Sequence, residues 1–375
     1  MSSEYRMCIR CVMDTTDPDI VFDENGVCNH CHTYDRMVRE YVVDGEEGLR
    51  HLEQTAQKIR KDGQGKKYDC VIGVSGGVDS TYVAYHVKKL GLRPLAVHLD
   101  NGWDSELAVK NIEETLKRLG IDLYTEVLDW EEFKDIQISF LKASTPDSEI
   151  PTDHAINALL GNLAQKIGVK YVIIGSNVRT EMHLPRAWSQ GHLDWKYIRE
   201  IQKRFGTQPF RTFPHIGFFT YYLRMLTQKR VEILNYLGYN KKEALRVLRE
   251  ELGWRYYGGK HYESIYTRFY QGYILPEKFG FDKRRSHLSS LVCSGEVTRE
   301  QALEELKVPT YAPSMQEEDR EYVVKKLGLT DAEFAAIMSA PRKSYWDYPS
   351  YGHLMKNPLI QKMVPFVKRI VGLFK

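Results

Sequence analysis

Between Tyr68 and about Ser176, apolar positions gather into short runs separated by longer stretches with helical spacing. The pattern predicts strands at 70–74, 94–99 ("PLAVHL"), 123–128 ("LYTEVL") and 170–174 ("KYVII"), with helices at about 79–90, 105–119, 131–143 and 153–167. Strands alternating with helices imply right-handed crossovers and a parallel sheet covered on both faces. Such sheets take their ligands beyond the carboxyl ends of the strands.

Three regions follow, without internal repeats or low-complexity tracts. Residues 1–35 form a cysteine-bearing module and 36–180 the alternating α/β region, which a polar helical stretch and the turn "KDGQGKKYD" introduce. Residues 181–375 are dense in aromatic and basic side chains and mostly helical, with helices near 226–236, 241–251, 298–306, 316–327 and 330–338. Ser314 and Thr330 are the expected caps of the last two.

Apolar residues at 42% and charged ones at 27% suit a globular chain. A formal charge of +3 is too small to imply nucleic-acid binding, though it allows a local basic site for phosphates or carboxylates. No apolar run reaches the length of about 18 residues that a membrane span needs, and "MSSEYRMCIRC" has no signal-like apolar core. The expectation is a cytoplasmic protein, at most peripheral to the inner membrane, with reduced or metal-bound thiols.

The stretch "YDCVIGVSGGVDSTYVAY" (68–85) sets a glycine turn between a strand and a helix. Backbone N–H groups at such a turn converge with the helix dipole on an anion. Gly76 and Gly77 let a phosphate approach, and Ser75 and Ser80 add hydroxyl donors. Asp79 would repel phosphate unless Mg²⁺ bridges the two. An ordinary strand-to-helix turn with Asp79 as N-cap uses the same residues. No Lys-Ser/Thr follows the glycines, so this is not a Walker A loop.

Four of the six cysteines form two C-x₂-C pairs, Cys8/Cys11 and Cys28/Cys31, with sixteen residues between them. Two such knuckles close a tetrahedral, structural zinc site, with an iron–sulfur cluster as the minor alternative. His30 and His32 are spare ligands. Cys70 and Cys293 stand alone in apolar runs and read as small core residues. In the basic run "DKRR", Lys283 and Arg284 would stabilise a departing pyrophosphate or lie on a solvated turn. The tail "NPLIQKMVPFVKRIVGLFK" could lie on a membrane, dock a partner or pack on the protein itself.

"SGGVDS" resembles the loop of the PP-loop ATP pyrophosphatases, which include the asparagine, GMP and NAD synthetases and tRNA-thiolating enzymes. The resemblance implies that Ser75, Gly76, Gly77, Asp79 and Ser80 hold the diphosphate end of ATP. It also implies that backbone at Val97 and Leu99 reads adenine and that Gly175, Ser176 and Asn177 border the nucleotide. Asp100, Asn101 and Asn177 are equally readable as turn residues. Taken in order, "CIRCVMDTTDP…GVCNHC", "YDCVIGVSGGVDSTYVA" and "YTRFYQGYILPEKFGFDKRRSHLSSLVCSGEVTR" resemble the N-acetyl sugar amidotransferases of bacterial surface-polysaccharide and O-antigen assembly.

That resemblance implies an AMP-forming amidotransferase using ATP, Mg²⁺ and structural Zn²⁺ on a UDP-linked acetamido sugar. Asp79, Lys283 and Arg284 would be its catalytic residues. No glutaminase motif surrounds any cysteine, so ammonia would come from separate glutaminase and barrel subunits resembling the histidine-biosynthesis pair. A tRNA-thiolating enzyme is the alternative, but it usually needs catalytic cysteines near the ATP site, where only Cys70 stands. A zinc-stabilised nucleotide sensor is the non-enzymatic alternative.

Overall fold

The structure, a computed structural model, describes residues 4–259 and 262–356. Lys260 and the basic tail from Asn357 onward, including the reading of that tail as a membrane or partner contact, lie outside the described residues. After the cysteine segment come α1 (Asn29–Tyr41) and α2 (Gly45–Asp62). Strands and helices then alternate as β1 (Cys70–Gly73), α3 (Val78–Lys89), β2 (Pro94–Asp100), α4 (Glu106–Leu119), β3 (Asp122–Val127), α5 (Trp130–Ala143), α6 (Ile150–Lys166) and β4 (Tyr171–Ile173). The rest comprises α7 (Val178–Glu181), α8 (Trp195–Phe205), α9 (Phe218–Thr227), β5 (Lys229–Val231), α10 (Lys241–Leu252), α11 (Ile265–Phe269), α12 (Arg284–Ser294), α13 (Arg299–Lys307), α14 (Pro313–Leu327), α15 (Asp331–Ser339) and α16 (Tyr351–Met355).

The strands form one parallel sheet in the order β3-β2-β1-β4-β5. Period-two alternation sorts its side chains between two cores. Cys70, Ile72, Ala96, Tyr171 and Ile173 face α2, α3, α4 and α10. Val71, Leu95, Val97 and Val172 face α5 and α6. Burial on both faces explains why the central strands β1 and β4 are wholly apolar rather than alternating.

Two expectations are corrected. The helix expected at 226–236 is instead the end of α9, the edge strand β5 and a 3-10 turn over Ile233–Tyr236. Pairing decides this: Lys229 N–H reaches the Lys170 carbonyl at 2.7 Å and Ile174 N–H reaches Val231 at 3.1 Å. The cap of α14 is Ala312, with Pro313 at the first helical position, so Ser314 already lies inside the helix. Between the expected helices, π-helical turns run over Tyr270–Phe279 and α12 follows. Thr330 does cap α15, in a reciprocal capping box with Glu333.

The cysteine module is clamped to the C-terminal helices. Arg299 donates to the carbonyls of Cys8 (2.9 Å) and Cys11 (3.0 Å), and Arg285 to that of Val12 (2.8 Å) and to Asp14 (3.0 Å). Val12 N–H reaches Ser289 Oγ at 3.2 Å. Arg299→Ala should therefore lower stability by about 2 kcal/mol in denaturant titrations, since it removes charge-assisted bonds to two knuckle carbonyls. An unchanged midpoint would show that the clamp contributes nothing.

Candidate nucleotide site and cysteine centre

The turn between β1 and α3 is built for close approach. Gly76 has φ +75°, and a Cβ there would lie 2.8 Å from the Ala108 carbonyl in the first turn of α4. Trp254 Nε1 holds the Gly76 carbonyl at 3.0 Å. Ser75 and Ser80 touch through their hydroxyls at 3.2 Å, and Ser75 N–H donates to Ser80 Oγ at 3.2 Å. Gly77 is the N-cap of α3, so Asp79 is not the cap but stands in the first turn. Its carboxylate accepts from the Tyr239 hydroxyl, which burial and the Asp79 charge push well above the ordinary phenol range. Tyr239, missed at the sequence level, lies 160 residues away.

The neighbouring strand ends converge on this turn. A Cβ on Gly175, just past β4, would lie 3.1 Å from the backbone of Asp79 and Ser80, which would have to give by a few tenths of an ångström to admit it. Ser176 is exposed beside it. Asn177 is buried, and its carboxamide oxygen caps α7 through Thr180 N–H at 3.0 Å, the turn-residue reading. On β2, the Val97 carbonyl accepts from Val74 N–H at 2.9 Å, where pairing with β1 ends. Strand alternation then points the Leu99 backbone groups to the same side, beyond that last pairing. His98, between them, bridges the Val74 carbonyl and Asp104, both at 3.1 Å. Burial alone would push its imidazole down, but Asp104 outweighs that and holds it up.

A second cluster flanks the loop. Asn101, just past β2, donates to Thr152 in the first turn of α6 at 3.3 Å. The segment leading into α6 carries Asp147 and Glu149, and α6 itself carries Asp153. His192 Nε2 lies 3.4 Å from both Asp147 and Asp153, and 2.9 Å from Ser189 Oγ. Against the cost of burial, the two carboxylates hold the His192 imidazole up, to about 9. Thr267 and Gln271 donate to Glu149 at 2.5 and 2.9 Å, and Lys283 Nζ approaches it at 4.0 Å. A cavity of about 330 Å³ opens from this cluster, with Asp147, Arg186, Ser189, Tyr197 and Tyr345 in its wall.

The basic run therefore divides. Lys283 reaches Glu149 of the acidic cluster. Arg284 instead pairs with Asp282 and binds the carbonyls of Glu305 and Val308, so the structure gives it a local anchoring role rather than one at pyrophosphate. Arg285 serves the cysteine clamp. Arg179, a basic residue without a role in the sequence reading, pairs with Asp44.

Because its folded pKa is raised from about 6.5, protonated His192 contributes stability in full below that value, and the contribution is lost as pH rises through about 9. Wild-type melting temperature should fall between pH 7 and 9.5 more steeply than that of His192→Gln. Parallel profiles would refute the linkage.

The four knuckle thiols are fully buried, with all four sulfur atoms within 4.8 Å of one another. Sγ–Sγ distances are 3.9 Å (Cys8–Cys31), 3.7 Å (Cys11–Cys28) and 3.8 Å (Cys28–Cys31). A tetrahedron with Zn–S bonds of 2.3 Å has edges of about 3.8 Å, so the donor set fits zinc. Cys28 N–H points at Cys8 Sγ at 3.3 Å and Cys11 N–H at 3.5 Å, as expected for thiolate acceptors. His30 and His32 are not needed: they meet Asp17 at 2.6 Å and Asp23 at 2.9 Å. Cys70 is a core residue whose thiol burial pushes up. Cys293 is not: half-buried, it lies 3.7 Å from Cys31 Sγ and 3.6 Å from His183 Nε2.

Residues 263–363 match the family model "LPS biosynthesis protein WbpG-like, C-terminal domain". An uncharacterized protein, MJ1599 of Methanocaldococcus jannaschii, is 23% identical over 84% of this chain and 97% of its own length. A tRNA-specific 2-thiouridylase, MnmA 2 of Thermoanaerobacter sp., is 31% identical over 48% of this chain, which spans half of that enzyme. Among solved structures, an NH3-dependent NAD synthetase from Campylobacter jejuni is 15% identical at a TM-score of 0.30, over 79% of this chain and 98% of its own. The parallel sheet, the glycine loop and these sequence relatives together make the chain similar to the ATP-using, synthetase-like enzymes of the PP-loop ATP pyrophosphatase superfamily. The match over 263–363 makes that C-terminal part of the chain similar to the WbpG-like family.

Proposed function

We propose that this chain is the synthetase component of an ATP-dependent, AMP-forming amidotransferase acting on a UDP-linked acetamido sugar for bacterial surface polysaccharide. The observation that carries the reading is where the WbpG-like segment closes. A Cβ on Gly77 would lie 3.6 Å from Glu263 Oε1, at the start of that segment, while Ser344, Tyr345 and Trp346 of the same segment line the cavity. One segment thus touches both the phosphate loop and the space where a second substrate would sit.

In this reading Ser75, Gly76, Gly77 and Ser80 grip the β- and γ-phosphates, and Leu99 backbone, with Val97 below it, meets adenine. Asp79 would hold Mg²⁺, which supplies charge neutralisation at the diphosphate. The N-acetyl oxygen attacks the α-phosphorus and pyrophosphate leaves, which turns a poor leaving group into AMP. Ammonia then adds to the imidate carbon, loses one proton and expels AMP, leaving an acetamidino group. Lys283 and Arg186 would meet the sugar's anionic groups. The walls must exclude water, because hydrolysis of the imidate returns the acetamide. Separate glutaminase and barrel subunits would deliver the ammonia.

Incubation with ATP, an ammonium salt and UDP-acetamido sugars should yield AMP and a product lighter by the difference between O and NH. AMP formed only with tRNA would move the assignment to the thiolating class. AMP formed under no condition would leave a nucleotide-binding protein.

A further inference from the structure

We propose that the cysteine centre is binuclear: a second thiophilic cation, zinc in the first instance, sits between Cys31, Cys293 and His183, with the Cys31 thiolate bridging it to the four-cysteine ion. The three donor atoms all lie within 4.8 Å of one another. They come from three separate parts of the chain: the N-terminal module, the segment after α7 and the last turn of α12.

The spacing is that of a coordination shell. Zn–S bonds of 2.3 Å and Zn–N bonds of about 2.05 Å give tetrahedral edges of about 3.8 Å for S···S and about 3.6 Å for S···N. The observed edges are 3.7 Å (Cys31–Cys293) and 3.6 Å (Cys293–His183 Nε2). Both match as closely as the edges of the four-cysteine set.

The histidine is oriented for the task. Ser290 Oγ donates its only proton to the Ser286 carbonyl at 3.3 Å. With its proton placed there, it accepts from His183, whose Nδ1 lies 3.0 Å away, as it also accepts from the His183 backbone N–H at 3.3 Å. That network assigns the proton to Nδ1 and leaves the Nε2 lone pair directed at Cys293. A metal-bound imidazole needs this tautomer, with its second nitrogen tied to an outer partner. Ser290 and His183 are both fully buried, so the orientation is not a solvent accident.

Charge favours the same arrangement. Four thiolates around one Zn²⁺ leave a buried net charge of −2, and a further thiolate alone would make it −3. A second Zn²⁺ with Cys293 brings the cluster to −1, which lowers the cost of burying it. The pair of ions would also pin the end of α12, the helix that Lys283 caps.

The test is zinc stoichiometry on the full chain, by mass spectrometry after equilibrium dialysis against micromolar free Zn²⁺. The expected result is two zinc ions per chain in the wild type and one in Cys293→Ala and in His183→Gln, each variant keeping its circular dichroism. Two variants guard against one failing to fold. One ion in the wild type overturns the proposal, as does a wild-type pair that both variants retain. Cobalt substitution adds a check: loss of Cys293 should remove the second set of d–d bands and leave the four-thiolate set. Neither readout depends on the amidotransferase reading.

Discussion

Asp79→Asn is expected to lower AMP release in the assay above by about 10³-fold or more while zinc content stays at the wild-type level. The amide keeps the size of the carboxylate and can still accept from Tyr239, so the fold of the turn should survive. What it loses is the charge that would hold Mg²⁺ at the diphosphate. Tyr239→Phe separates the two roles: it leaves the carboxylate but removes the hydroxyl that orients it, and a fall of about tenfold is expected. Full activity in Asp79→Asn would remove the metal role, and a larger loss in Tyr239→Phe than in Asp79→Asn would make the tyrosine the chemical group.

Gly76→Ala should abolish measurable ATP binding in calorimetry and destabilise the chain by about 2–4 kcal/mol. Two costs add. A side chain at φ +75° costs about 1–2 kcal/mol, and the new methyl would stand 2.8 Å from the Ala108 carbonyl, a backbone atom that cannot move without shifting α4. The turn must then open, which also strains the Trp254 bond to the Gly76 carbonyl. Gly65→Ala is the control: its φ is +77°, but nothing lies within 4 Å of the added carbon. It should cost only the conformational part and leave ATP binding intact. Equal effects at both positions would mean that the tight fit at Gly76 is unimportant.

The parallel sheet and its glycine turn were legible because their signals are local. A four-residue apolar strand, two glycines and a helix start sit within one short stretch, and β2, β3 and β4 repeat the period. β5 was not legible, since Lys229 and Arg230 are charged and only pairing with β4 makes them a strand. Charged residues on an edge strand are common, because they discourage pairing with other chains. The clustering of the four knuckle cysteines was equally plain from spacing. Their neighbours were not: Cys293 is 262 residues from Cys31, and Tyr239 is 160 from Asp79. The leftover cysteine in "LVCSG" was the one available hint of the former, and its apolar surroundings argued for core packing instead. Arg284 shows the opposite failure. A basic run suggests phosphate, yet a carboxylate two residues before it and two carbonyls occupy its donors.

The clamp between the first knuckle and Arg299 spans 291 residues. At about 5–20 residues per second, the ribosome would release those thiols roughly 15–60 s before their dock is made. During that interval the nascent cysteines face cellular oxidants without α12 and α13 to cover them. Early metal capture would protect them, and cells starved of zinc during translation should accumulate chains whose knuckle thiols are oxidised rather than merely empty.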